Sequence, residues 1–483
     1  MIRFVTAAGE ELTLGSQDIG IEIASPYFDT TSIPGITTYP SDLPAVGNNP
    51  RLLGFPEQFR GAGGPPPVVV DCYLDNVRWK RGSLVFRSYD ARKQTYRCNF
   101  VADATDLAKQ LAALRLPDVV LADQVLSLAG VAGVYVLAPV RNTEFFDDKN
   151  PAFKGILNYP GATGANRVLV PMLYLVPVLR QVLATLGWDV VGPLVDDAEV
   201  QAAVIYSDRA LPAAQAVGTA FNPARHLPDI SVAELLLAVQ NVFCAGIYFN
   251  PATRQVRFTP LRGAVQRGAY VDRPGAVLQA TTANDTAGFL LRLDPDTNDE
   301  LDKTLDVSGQ QLKIGAGQEE ITAAAGTLHL VREADPNAAG RQWLVPAISA
   351  KGASTDYELG DDSRTGLRLL FDRGMCPASQ GASYRLLSPG TEDYAGNVVG
   401  TYALQWDGPQ GLYAQWHQPW LDFRARAVTR EYQVPFRIAD LLTLDPAGHE
   451  LVDYHLLLWQ KVSLKVSAGS RLRSATFAYQ ELL

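Results

Sequence analysis

His449, Asp453 and His455 are the one close grouping of metal-ligating residue types in the sequence. Imidazole and carboxylate together suit zinc or a similar divalent ion. On a strand, alternate side chains share a face, so Asp453 and His455 would point the same way. His449 joins them only if its strand begins there. A turn over residues 446–448 beside an ordinary polar face explains the group without a metal, and that is the expected arrangement. A second candidate, Asp294-Pro-Asp296-Thr-Asn298-Asp-Glu300, imitates the first half of a calcium loop. Its sixth position is Asp299 where the loop needs glycine, and its twelfth is Leu305 where it needs the bidentate glutamate. The expectation is an acidic surface turn.

Hydrolysis of a polymer needs only two acids at a set separation. Asp147-Asp148, Asp196-Asp197 and Asp361-Asp362 are the available pairs. Neighbours on a strand face opposite ways, so no adjacent pair makes such a site alone. Trp406, Trp416 and Trp420, with Tyr402 and Tyr413, offer either a sugar-stacking platform or core aromatics, and core or interface packing is the expected use. No nucleophile elbow, His-Glu-x-x-His helix, phosphate-binding loop or dinucleotide-binding turn occurs. The reading is a non-enzymatic chain with no catalytic residue, no cofactor and no metal.

The chain has 483 residues, 47% hydrophobic and 19% charged, an ordinary globular balance too long for one core. Its formal net charge of -9 argues against a general nucleic-acid binder. Arg78, Lys80, Arg81 and Arg87 around Trp79 are the nearest thing to a basic patch and read as a solvated hairpin. Cys72, Cys98, Cys244 and Cys376 have neither zinc nor disulfide spacing, so buried free thiols are expected. The opening MIRFVTAAGEEL lacks the pattern of an export signal. Val168–Leu179 is too short to span a bilayer and reads as a core helix, so no stable membrane association is expected.

The elements that must hold these residues are mostly strands. Residues 68–101 read as a three-stranded meander with Asp75-Asn76 and Asp90 at turns. A short helix follows over about 105–114. Residues 131–160 are strand-like and broken by turns. The apolar stripe from Met172 to Leu186 predicts a helix kinked at Pro177 and ended by Gly187. Ser231-Val-Ala-Glu234 is a capping box that starts a third helix, which runs into a hairpin turning at Asn250-Pro251. Beyond Val277 only a short helix near 436–442 stands out among short strands. The predicted fold class is α+β, a β-rich multi-domain chain with β-barrel or sandwich domains and a helix-containing α/β domain in the middle. The expected boundaries are 1–165, 166–265, 266–375 and 376–483.

Residues 21–59 carry Pro26, Pro34, Pro40, Pro44, Pro50 and Pro56, interleaved with apolar side chains. Proline removes backbone donors, which excludes a helix or a central strand. The apolar residues argue against disorder. An ordered, extended arm pinned by Tyr27, Phe28, Leu43 and Phe55 is expected.

The same stretch, "SPYFD…YPSDLPAVGNNPRLLGFPE", resembles the opening of phage and prophage tail proteins of Bacteroidetes-type hosts and is similar to tail-tip and baseplate hub proteins. It departs from that pattern at Ser41-Asp42, where an apolar residue is common. The helix-plus-strand segments "VPMLYLVPVLRQVLATLGWDVVG" and "LPDISVAELLLAVQNVFCAGIYFNPATRQVRF", and the block from Gly366 to Leu483, resemble the same family. The resemblance implies a structural virion component, a homotrimer connecting the tail tube and distal tail proteins to a tip or spike protein. Its place would be the virion tail, around a channel through which DNA only passes. It also implies two tube-like β domains, one near residues 68–101 and one in the C-terminal half. Alternatives are a peripheral receptor- or carbohydrate-binding tail protein and a cell-wall hydrolase.

Overall fold

The structure is a computed structural model. It describes the chain except residues 16–18, 32, 34–37, 59–64, 147–151, 161, 164–166, 214, 251–252, 267, 284–287, 294–297, 305–310, 337, 356–363, 468–470 and 483. The fold is α+β and β-rich, with several separate sheets. It forms two compact units made of non-consecutive stretches, where the sequence reading has four consecutive ones. One is Met1–Leu111, Ala264–Asp285 and Phe423–Leu483; the other is Ala112–Gly263 and Thr286–Asp422.

In the first unit, β1 (Ile2–Thr6), β3 (Thr38–Pro44), β4 (Val68–Leu74), β5 (Val77–Asp90) and β6 (Thr95–Ala102) form an antiparallel sheet in the order β1-β4-β5-β6-β3. The expected meander is β4 to β6. Asp75 and Asn76 form its first turn at φ 49° and 68°, the left-handed pair that matches the twist of a two-residue hairpin. The second sheet joins Tyr270–Asp272, Val277–Thr282, Thr429–Pro435, His449–Val452, His455–Val466 and Ser474–Glu481, with β2 (Ile19–Ala24) added along His455–Val466. Alternate residues point inward along most strands of both sheets, whereas Tyr270–Asp272 and Val277–Thr282 are exposed throughout. Phe4, Cys72, Leu84 and Phe100 of the first meet Tyr432, Trp459, Val462 and Phe477 of the second in one apolar core.

The described residues of the proline-spaced segment, which exclude Pro34, form sheet edges and helical turns rather than a continuous extended arm. β2 and β3 lie within it, and Pro40 and Pro44 fall on β3, an edge strand, where a missing donor breaks no interior ladder. The single helical turn Asn49–Leu52 takes Pro50 in its first positions, the place where helices tolerate proline.

In the second unit a five-stranded antiparallel sheet runs Ser383–Ser388, Leu369–Pro377, Ala203–Ile205, Met172–Tyr174, Tyr135–Val136. A four-stranded sheet joins Ile156–Leu157, Val140–Arg141, Gln342–Ala347 and His329–Ala334. The helix predicted from Met172 is corrected: Met172–Tyr174 is a strand, and the helix is Leu175–Thr185. Cross-strand pairing with Ile205 and Val204 claims those first residues. Pro177 then falls in the first turn, where an N–H has no intrahelical acceptor, so the helix needs no kink. Gly187, at φ 76°, closes it. The capping box forms as expected, with the Ser231 hydroxyl accepting from the Glu234 N–H and the Glu234 carboxylate accepting from the Ser231 N–H. A further helix was not expected: a π-turn over Tyr413–His417 continues into Gln418–Arg426. The wide turn lies just ahead of Pro419, whose ring would clash with the carbonyl of Gln415 in a regular α-turn. No described helix is long and apolar enough to cross a membrane.

Candidate functional site

The histidine group does not assemble. The His449 Nε2 lies 2.7 Å from the Ala264 carbonyl. His455 Nδ1 pairs with Glu481, which also accepts from Arg430 Nε at 2.8 Å. Asp453 sits with Tyr454 in a hairpin turn at positive φ rather than on the strand face. Among the described residues no three His, Cys, Asp or Glu side chains are placed to hold a metal. All four cysteines are free and buried, as their spacing suggested.

In the calcium-like segment the expected surface turn gives way at Asp299. Asp294 and Asp296 lie outside the described residues, and Asp299 is buried rather than at the surface. Its Oδ1 accepts from the Leu301 N–H at 2.9 Å and the Ser349 N–H at 3.0 Å. Of the carboxylate pairs, Asp147-Asp148 and Asp361-Asp362 lie outside the described residues. Asp197 caps the turn Ala198–Gln201 by accepting from the Glu199 and Val200 N–H groups, and Asp196 faces Arg180 at 3.6 Å. Trp406, Trp416 and Trp420 are buried, and the Arg262 guanidinium lies 4.0 Å from the Trp416 ring centre. Their faces serve packing rather than sugar stacking. On the β4–β5 hairpin Arg78 pairs with Asp71 at 2.7 Å and Lys80 lies over Trp79, while Arg81 and Arg87 are exposed.

What the sequence does not announce is a buried ionic cluster in the second unit. Arg368, fully buried, donates to Asp302 Oδ2 at 2.7 Å and approaches Asp299 Oδ2 at 3.7 Å. His329 Nε2 meets the other Asp302 oxygen at 2.7 Å. Burial pushes the Asp302 carboxyl up, but the His329 hydrogen bond and the Arg368 charge outweigh it and hold the group below its ordinary range. Burial wins at Asp299 and raises it. Gly326 lies against Arg368, and a Cβ there would fall 1.9 Å from Nη1, so only glycine fits. Nearby in the same unit Arg373 gives Nη1 to Glu199 at 3.0 Å, and Nε and Nη2 to the Gly390 carbonyl at 3.0 and 2.8 Å. Arg385 grips Asp372, which also accepts from the Tyr174 hydroxyl at 2.5 Å. Every charged group in these clusters faces an opposite charge or a dipole. They brace strands rather than poise a nucleophile.

A cleft of about 250 Å³ is lined by Tyr159, Trp343 and Tyr384 with Asp335 and Arg341 at its polar side. Trp343 is stacked between the two tyrosines, 5.4 Å from each. Asp335 is taken by Arg341 at 3.1 Å and by the Tyr159 hydroxyl, so the cleft holds no free base.

The four proposed anchors separate. Tyr27 is buried, Phe28 partly so, and Leu43 is completely enclosed in the first unit's core. Phe55 is 44% exposed at φ 52°.

No family model and no curated protein matches the chain. Among solved structures it is similar to the 43 kDa tail protein of prophage MuSo2 from Shewanella oneidensis (8% identity, TM-score 0.37, covering 100% of this chain and 98% of that one). It is also similar to a tail protein from Neisseria meningitidis (9%, 0.36, 99% and 96%). A third is the prophage tail protein gp18 from Listeria monocytogenes (6%, 0.35, 99% and 94%).

Proposed function

We propose that the chain is a structural component of a phage-type tail: a baseplate or tail-tip hub that joins the tail tube and distal tail proteins to a tip or spike protein. In this reading it is a non-enzymatic homotrimer, located in the virion tail, surrounding a channel that DNA or a tape-measure protein crosses without staying bound. The observation that supports it most is where the tail-like N-terminal segment goes. Residues 19–58 supply strands to both sheets of the first unit, and their Leu43 is part of its core. The described part of the segment that resembles tail proteins is therefore a structural element of the unit. Burial of the tryptophans removes the feature that favoured a carbohydrate-binding alternative.

Mass spectrometry of tails purified from the parent particle, with imaging along the tail axis, tests the reading. The chain should be recovered from the distal tail and its density should show threefold symmetry. Its absence from purified tails would sink the hub assignment. Phe55→Ala should leave the folded chain intact and lower its incorporation into tails, because an exposed aromatic ring is available to a neighbour.

A further inference from the structure

The second unit carries a surface lobe with no charge on it. Residues 124–140 and 210–224 contain no Asp, Glu, Lys or Arg. Fold brings the two stretches together: Gln124–Val125 pairs antiparallel with Ala220–Phe221. The Leu126 N–H donates to the Thr219 carbonyl, and the Gly218 N–H donates to the Leu126 carbonyl, each at 2.9 Å. Val125 is 57% exposed, Leu128 53% and Val217 51%; the exposed Asp123 bounds the lobe on one side.

The lobe is also held stiff from beneath. The buried Tyr135 hydroxyl donates to the Val125 carbonyl at 2.9 Å and accepts from the Ser127 N–H at 2.6 Å. Its ring packs edge-on against Phe221, with centroids 5.3 Å apart. Several exposed aliphatic side chains on uncharged stretches that are tied together by the hydrogen bonds above are the signature of a contact surface, since the centre of an interface is depleted in charge and little ordering entropy remains to be lost.

We infer that this lobe is the surface through which one copy of the chain meets another. The occupant follows from charge. Each copy has a formal net charge of -9, so two copies repel at long range. A surface without charge is where identical acidic chains touch without that penalty. A basic partner would instead gain by docking on the acidic remainder. The inference rests on the proposed assembly in one respect, that copies of the chain associate, and it assigns the residues that do so.

Sedimentation velocity over a wide concentration range tests it with the full chain. The wild type should self-associate. The double variant Val125→Asp/Leu128→Asp should dissociate at concentrations at least tenfold higher than those at which the wild type does. Tyr454→Asp, which adds a single negative charge at a fully exposed hairpin turn of the first unit, should associate as the wild type does, and so sets the effect of added charge away from the lobe. Circular dichroism and the thermal midpoint check that the double variant is folded. Were it not, Val217→Lys, on the other stretch, carries the same expectation. A monomeric wild type, or a folded variant that associates normally, overturns the inference. So does a monomeric wild type that cosediments with phosphatidylcholine vesicles, which would make the lobe a lipid contact. Recovery of the chain from tails is a separate readout. A chain absent from tails but dissociated by the variant would sink the tail reading alone, and a tail-borne chain indifferent to the variant would sink only this one.

Discussion

Within the second unit, the interior around Arg368 concentrates charge, while the surface lobe at residues 124–140 and 210–224 has none. The two regions invert the usual placement of charge inside and out. Arg368 is affordable inside because Asp302 and Asp299 face it and His329 completes the set. Such pairs add little net stability, yet removing one partner leaves an uncompensated buried charge. The lobe leaves aliphatic side chains in water, which costs solvation unless something covers them. The difference teaches that buried charge here fixes how strands meet, whereas bare apolar surface is held for contact.

The sharpest way to break the comparison is Arg368→Met, which strands two buried carboxylates. A loss of about 3–5 kcal/mol is expected by urea unfolding. A loss under about 1 kcal/mol would show that the cluster is solvated and that the contrast is false. Gly326→Ala attacks the same place sterically and should be destabilising in the same assay, because its new methyl meets Arg368.

Acid should act next. His226 and His417 are buried, and burial pulls both from 6.5 down to about 4. The unfolded chain takes up these protons below about pH 6.5, the folded chain only below about pH 4. Stability from this source is therefore full above pH 6.5 and is lost as the pH falls towards 4, on the order of 3 kcal/mol per histidine. Thermal midpoints across that range should fall steeply, and replacing both residues by glutamine should flatten the slope. The depressed Asp302 works in a lower window: its contribution is complete above the ordinary 3.8 and is lost as the pH drops through its lower folded value.

Ser231→Ala should cost about 1 kcal/mol, the usual worth of an N-cap, read in the same unfolding assay. It calibrates a purely local interaction against the ionic cluster. At the other extreme, Val125→Asp/Leu128→Asp should change monomer stability by less than about 0.5 kcal/mol, as exposed substitutions do. A larger loss would mean that the lobe supports the fold rather than a contact.

Local chemistry was legible in the sequence. The Ser231–Glu234 capping box, the Asp75-Asn76 turn, the stop at Gly187 and the burial of the cysteines each depend on residues close in the chain or on a residue's own polarity. Tertiary structure alone decided which segments share a core. The first unit unites residues 1–111 with 423–483, and no periodicity tells one apolar strand which distant strand will cover it. It likewise decided that Met172–Tyr174 pairs as a strand before the helix begins, that Asp299 is enclosed, and that Arg368 meets Asp302 across 66 residues and Arg373 meets Glu199 across 174. A charge in the sequence reads as surface because its solvation cost is known and its partner is not. Only the folded chain brings the partner within reach, and with it the reason that the charge is buried while the lobe is left bare.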